Sequence, residues 1–373
     1  ALNEVSVSES TALGAVKVSG TTPVLKDTAS NLQGSALNGG TLATQGVVSV
    51  DSTDNTLTLT VAKYNSLVSG SIALTGADEV TLSDTAANLN LAGANFATLA
   101  SKGIDKIGSS SALSLSVAKF NSLAATSISF TSASNVTVED TNNALWAVVD
   151  YSAYAGKGID AIATSDPEID LTVSQFQSLG SVRVDSAHDF YLYDLKANLL
   201  SLTAANIAKL SADGLDGFVV TDSPLTLDVA EYRSLATMTA TSGLFFNSTA
   251  ALVDTEANIS TLTSSEIAAL RVATLNDVDV SDSNVLSLSV AQAKAYAAAN
   301  YMWFDASDTV TVNGADAAFS TVTAGEITTL RGLQLHGVAS AADLVLSVAQ
   351  FTAATDTIVD LNPVLTLSAG NTH

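Results

Sequence analysis

The sequence predicts an α/β solenoid in which coils of about 28 residues run strand, turn, strand, helix and pair into 56-residue doublets. Two recurring anchors and their spacing predict it. The first anchor is LSLSVAKFNSL, Leu113–Leu123, which recurs as Leu57–Leu67 (LTLTVAKYNSL), Ile169–Leu179 (IDLTVSQFQSL) and Leu225–Leu235 (LTLDVAEYRSL). Looser copies begin at Leu286 and Leu344; the first four copies start 56 residues apart and the next two intervals are 61 and 58. The second anchor reads DTAANL at Asp84–Leu89, with relatives at Asp27, Asp140, Asp194 and Asp254 and a degraded form from Asn313. It splits each period into two halves with the same grammar.

The period from Val80 shows that grammar. VTLSD alternates apolar and polar residues, which suits a half-buried strand. Asp84 and Thr85 stand where a helix N-cap belongs, because a short side-chain oxygen can accept from the first free amides. Leu89, Leu91, Phe96 and Leu99 follow at roughly helical spacing, and Gly103 ends the helix. Ile104–Ile107 is a short strand, GSSSA a turn, and LSLSV from Leu113 the next strand. AKFNSL gives a shorter helix, SISF (Ser127–Phe130) a strand, and VTVED from Val136 restarts the cycle.

Such a unit is too small to bury its own apolar face, so copies must stack. Equivalent strands would then align in parallel about 4.8 Å apart, forming two parallel sheets with a helical side, β-helix-like or leucine-rich-repeat-like. Helices need near 10 Å between axes, so that side should impose curvature, twist or stagger. Alternation points Leu57, Leu59 and Val61 inward, with Leu113, Leu115, Val117, Leu286, Leu288 and Val290 in the same places. Val80, Leu82, Val136, Val138, Val310 and Val312 point inward on the second anchor. Thr58, Thr60, Ser114, Ser116, Asp170, Thr172, Thr226, Asp228, Ser287 and Ser289 point out. The whole of 1–373 reads as one continuous array, with doublets near 1–56, 57–112, 113–168, 169–224, 225–285 and 286–343 and a partial one at 344–373. No capping repeat is visible at either end, so the chain reads either as a segment of a longer array or as having diverged caps; it shows no signal peptide, so it reads as either mature or an excised piece.

Composition narrows the function. Hydrophobic residues make up 47% and charged residues only 14%, which suits a folded chain. No apolar run approaches the length of about 18 residues that spans a bilayer. With 14 Lys and Arg against 37 Asp and Glu, the net charge of −23 argues against nucleic acid and anionic membranes as partners. Cysteine is absent, which excludes disulfides and thiolate metal sites. His188, His336 and His373 show no zinc-ligand spacing, and there is no GxSxG elbow, Walker loop or dinucleotide fingerprint. The chain is therefore not expected to be an enzyme. A carboxylate pair such as Asp170 with Asp228, one repeat apart on the same face, is the exception that would suit glycosidic chemistry.

Candidate sites lie where the repeat departs from itself. Trp146, Tyr151 and Tyr154 replace Leu, Phe and Leu. FYLY at Phe190–Tyr193 replaces VTV and turns Tyr191 and Tyr193 outward. Phe245 and Phe246 are adjacent and cannot both point inward. In Tyr301–Phe304, Trp303 takes the outward place of Ser129. These aromatics either fill space between coils or form a platform for a sugar or a partner, with Tyr191, Tyr193, Phe245 and Trp303 as the binding residues. Acidic turns recur at Asp51 and Asp54; Asp166, Glu168 and Asp170; Asp222; Asp277, Asp279 and Asp282; and Asp343. They are either ordinary turn formers or ligands for Ca²⁺, and Asp277, Asp279, Asp282 and Asn284 form the best calcium candidate. No EF-hand loop or GGxGxD nonapeptide occurs.

The Ala/Ser/Thr/Asp/Leu-rich tandem repeat, the missing Cys, the low Lys content and the DTAANL…LSLSV motifs resemble the repeat regions of large exported bacterial surface proteins. These are S-layer-like proteins and adhesins sent out by type I secretion. The resemblance covers nearly the whole chain, describes architecture rather than a site, and implies an extracellular or cell-surface location. The expected function is structural or adhesive, through self-association or binding to surface proteins and glycans. A carbohydrate-binding module is the alternative, and a polysaccharide-acting enzyme a third.

Overall fold

The structure is a computed structural model that describes residues 3–18, 22–34, 37–185, 187–238, 243–246, 250–272, 275–299, 303–314, 316–333, 335–339, 344–354 and 365–367. The chain divides into two compact units, Ala1–Phe190 and Tyr191–His373.

In the first unit, the alternation of Leu57 and Leu59 with Thr56 and Thr58 makes the strand Thr56–Leu59, whose two leucines are buried. Thr60 ends it. Its hydroxyl accepts the Lys63 amide at 3.3 Å and starts the helix Val61–Ser69, which buries Tyr64 and Leu67. Ser116 does the same for Val117–Ala124, which buries Phe120 and Leu123. Val61 and Val117, expected to extend the strands, are therefore first residues of helices and only partly buried. The capping hydroxyl one residue earlier overrides the alternation.

The second anchor makes the strand Glu79–Asp84, with Val80 and Leu82 buried. Thr85 caps the next helix, accepting the Asn88 amide at 3.3 Å. One helix was expected here; the structure has two, Ala86–Leu89 and Phe96–Ser101. Asn90 takes a left-handed conformation (φ 43°) that no helix continues through, and the Asn95 side chain caps the second helix by accepting the Thr98 amide at 3.0 Å. Gly103 follows with φ 86°, the helix-ending role expected for it.

Every described strand pair is parallel. The strands form several small sheets rather than two continuous ones. One sheet orders Thr56–Leu59, Glu79–Asp84, Lys106–Ser109 and Ser129–Phe130; the next orders Leu113–Leu115, Val136–Asp140, Ala161–Thr164 and Arg183–Val184. Leu113–Leu115 lies in sequence between the last two strands of the earlier sheet, yet it opens the later one. The stretch from Lys106 to Asp140 thus gives two strands to the sheet behind and two to the sheet ahead. This interleaving makes the 56-residue doublet, not its 28-residue half, the repeating structural unit. In-register partners step unevenly: Leu57 faces Val80, Leu82 faces Ile107, and Ile107 faces Phe130.

The second unit keeps the same grammar. Leu225–Leu227, Ala250–Asp254, Leu275–Val280 and Trp303–Phe304 form one sheet, and Val285–Ser289, Thr309–Asn313 and Leu335–Ala339 form the next. Val285–Ser289 again lies in sequence between the last two strands of the earlier sheet. The core of this unit is filled by side chains such as Phe218, Leu227, Leu252, Val278 and Leu288.

Carboxylates stitch successive coils. Asp84 Oδ2 accepts the Val61 amide at 3.1 Å, while its Oδ1 takes the Thr85 amide and the Asn88 side-chain amide at 2.8 and 2.7 Å. Val61 is the first helical residue, so its N–H has no partner within its own helix. Asp27 and Asp140 do the same for Val7 and Val117, and in the second unit Asp254 does it for Val229. The Asn88 side chain first, and the Thr85 amide next, hold the Asp84 carboxyl below its usual range; Asn31 and Thr28 do so for Asp27. The reverse stitch comes from the first-anchor helix. Lys119 Nζ donates to the Ala94 carbonyl at 3.0 Å, and Gln175 Nε2 donates to the carbonyls of Trp146 and Val148 at 2.8 and 2.7 Å.

Candidate functional surface

The outward positions of the sheets divide into a polar, an aromatic and an acidic surface. In the first unit the register rows are short and polar, such as Thr58 beside Thr81, and Ser114 beside Thr137. Lysines interrupt two of these rows: Lys26 Nζ lies 2.9 Å from Asp51 and 3.3 Å from Glu4, and Lys106, next to Thr81, has its Nζ 2.8 Å from Glu79.

The aromatic surface begins on the strand Asp189–Asp194, where the division between the two units falls. Phe190 and Leu192 are fully buried, while Tyr191 and Tyr193 are half-buried on the opposite face, as alternation predicts. Their rings meet edge to face, 6.5 Å apart at 79°. Register sets Gly217 beside Tyr191, and sets Val219 beside Tyr193 with Phe245 next in the row. The side chains of Phe245 and Phe246 lie outside the described residues. Trp303 occupies the same register position as Ser129, opposite Asp277 as Ser129 is opposite Lys106. Its side chain lies outside the described residues, as do Tyr301 and Met302. Tyr151 and Tyr154 are buried instead, in edge-to-face contact with each other at 4.9 Å, and fill core space; Trp146 is 42% exposed.

Most acidic turns prove to be caps. Asp54 accepts the Ala29 amide at 2.7 Å, Asp166 the Asn142 amide at 2.7 Å and, in the second unit, Asp282 the Glu256 amide at 3.0 Å. Asp222 accepts the Lys196 amide in the same way. Each caps the first amide of a second-anchor helix in the preceding coil. Asp343 lies outside the described residues.

Of the four calcium candidates, Asp282 is thus spent on a helix, and Asn284 stands in a left-handed turn (φ 52°). Asp277 and Asp279 share one face of the strand Leu275–Val280. The structure adds two residues that sequence reasoning passed over. Asp305 directly follows the strand Trp303–Phe304, its amide donating to the Val278 carbonyl at 2.9 Å, and Asp308 Oδ2 accepts the Val280 amide at 3.0 Å. Asp308 is buried, and its Oδ1 meets no hydrogen-bond partner. Burial first, then Asp305, holds the Asp277 and Asp279 carboxyls above their usual range; burial, then Asp279, Asp305 and Asp277, raises that of Asp308. Among the described residues, no group of three or more His, Cys, Asp or Glu side chains is placed to hold a metal ion. Aligning the turns TGADEV, TSASNV and DASDTV would have singled out Asp308, because Asp78 and Ser134 make the same clamp to the amides of Ser52 and Ser109.

Of the acid pair named from the sequence, Asp170 lies on the strand Glu168–Leu171 of the first unit, and Asp228 directly follows the strand Leu225–Leu227 of the second. Asp170 is engaged with Asn142, whose Nδ2 donates to it at 2.7 Å, and Asp228 caps a helix by accepting the Glu231 amide at 2.6 Å. Among the described residues, no helix is long and apolar enough to cross a membrane.

No known protein family, curated protein or solved structure matches this chain.

Proposed function

We propose that the chain is a structural or adhesive repeat segment of an extracellular or cell-surface protein, in which the doublets stack as an α/β solenoid. The interleaved doublet carries this reading. Its side-chain stitches run from each coil to its neighbours, and the repeated residues are spent on propagation: Asp27, Asp84, Asp140 and Asp254 cap first-anchor helices, while Asp54, Asp166 and Asp282 cap second-anchor helices. Self-association and contacts to surface proteins or glycans are the interactions such a segment would make. Negative-stain microscopy of the purified chain, with immunogold labelling of the producing cells, tests it. Rods, sheets or a surface coat are expected; compact particles with label confined to the cell interior would overturn it.

A second reading, a carbohydrate-binding face, rests on the Tyr191–Tyr193 pair beside Gly217. Tyr faces and glycine-lined hollows suit a sugar ring. Glycan-array binding that Tyr191→Ala and Tyr193→Ala both abolish would support it, and binding that survives both would end it.

A further inference from the structure

We propose that a hollow between neighbouring coils of the first unit, lined by Tyr64 and Lys102, binds a small organic carboxylate with an apolar body.

The doublet from Leu113 shows how this seam is closed elsewhere in the same unit. There the Phe130 amide donates to the Lys157 carbonyl at 2.8 Å. Lys157 Nζ donates to the carbonyls of Thr126 and Ile128 at 2.5 and 3.1 Å. The rings of Phe120 and Tyr154, both buried, meet 3.8 Å apart and fill the space between the two helices that carry them.

The doublet from Leu57 has Leu74, Tyr64 and Leu99 in the places of Phe130, Phe120 and Tyr154. The lysine is kept, as Lys102, but its bonds are not. The Leu74 amide makes no matching bond to the Lys102 carbonyl. Leu99 is smaller than Tyr154 and only half-buried. Lys102 is exposed, and its Nζ has no hydrogen-bond or ion-pair partner among the described residues. What remains is a hollow of about 470 Å³, the size of a small-ligand site. Leu67, Ile72 and Leu74 supply its apolar lining, and Tyr64, Ser71 and Lys102 its polar groups.

These groups select the ligand. A lysine ammonium without a partner is a strong donor to an anion. One ammonium balances one carboxylate, whereas a phosphate dianion would leave further negative charge on a chain already at −23. The apolar lining takes alkyl or aryl surface out of water and disfavours a sugar acid, whose hydroxyls would lose water without enough partners. The Tyr64 hydroxyl, which bonds no protein group among the described residues, is a second donor for the carboxylate.

Saturation-transfer NMR on the purified full chain with phenylacetate, hexanoate, phenylethylamine, benzyl alcohol and glucuronate tests this. Phenylacetate and hexanoate are expected to bind, and the amine, the alcohol and the sugar acid to bind at least ~10-fold more weakly. Lys102→Met keeps an unbranched apolar stem without the charge and should weaken both carboxylates by at least ~10-fold. Leu74→Phe combined with Leu99→Tyr copies the closed seam; it should abolish binding and raise Tm. Absence of binding of both carboxylates up to about 10 mM, equal binding of the amine, alcohol or sugar acid, or unchanged binding in Lys102→Met would overturn the proposal. Full binding in the folded double variant would overturn it as well. None of these readouts depends on whether the chain assembles at a surface.

Discussion

The carboxylate of Asp84 accepts the amide of Val61 at 3.1 Å, joining the start of one anchor's helix to the strand end of the other anchor, 23 residues later. The two sequence motifs are thus halves of one device. The first anchor leaves an amide open at its helix start, and the second anchor brings the acceptor.

Replacing Asp84 by Ala removes three hydrogen bonds at once, and the Val61 amide is left without its acceptor. A clear loss of stability is expected, because a helix cap and two further hydrogen bonds go together. Asp84→Asn keeps one carbonyl oxygen and should lose less. Urea unfolding of the full chain, followed by circular dichroism, measures the order of the three proteins.

Tyr151 and Tyr154 are both buried but differ in one bond. The Tyr151 hydroxyl donates to the Leu145 carbonyl at 2.7 Å, whereas the Tyr154 hydroxyl meets no partner. Tyr151→Phe should therefore cost about 1 kcal/mol. Tyr154→Phe should be neutral or stabilising, since it removes an unsatisfied group. Equal destabilisation of both in thermal melts would contradict the assignment.

Gly39 packs against the backbone of the helix Val61–Ser69. A Cβ there would sit 1.9 Å from the Ser66 carbonyl oxygen, and backbone cannot yield as a side chain does. Gly39→Ala should destabilise by about 1–3 kcal/mol. Gly156→Ala, where a Cβ would meet nothing within 4 Å, is the matched control and should not destabilise. Tm differences between the two variants decide it.

Acid should act in two directions. Asp27, Asp84 and Glu266 are held below their usual range; Glu266, beside Arg233, falls to about 2. Their stabilisation is present above the unfolded carboxylate range, near 4, and is lost as pH falls through the folded values. Asp277, Asp279 and Asp308 are held above their usual range, so protonation favours the folded form there. Their cost is relieved as pH falls from neutral through those raised values. In calcium-free buffer, Tm should first rise on mild acidification and then fall steeply below about pH 4. The early rise should shrink in Asp279→Asn; a rise of unchanged size would refute the link.

Local rules made much of the architecture readable. Leu57, Leu59, Val80 and Leu82 were placed inward by alternation, and all four are buried. Tyr191 and Tyr193 were placed outward by the same rule. Val61 was misplaced because a capping hydroxyl at Thr60 ends the strand one residue early. The helix break at Asn90 was missed because apolar spacing carries on across it while the backbone does not. The acidic turns were ambiguous for a deeper reason. In sequence Asp282 is one more acidic turn residue, and only the pairing of coils brings its carboxylate to the Glu256 amide. Asp308 is hidden in the sequence because its contact, the amide of Val280 28 residues earlier, is a relationship between strands.

The interleaving of strands also constrains how such a chain changes length over evolutionary time. A doublet hands two strands back and two forward, so duplication or deletion of a whole doublet leaves every junction matched. Gain or loss of a half would set the wrong strand type at both seams. Copy number is thereby quantised in steps near 56 residues, with small slippages tolerated, as the 61- and 58-residue intervals after Leu225 and the register shifts on the strands Leu275–Val280 and Leu335–Ala339 record.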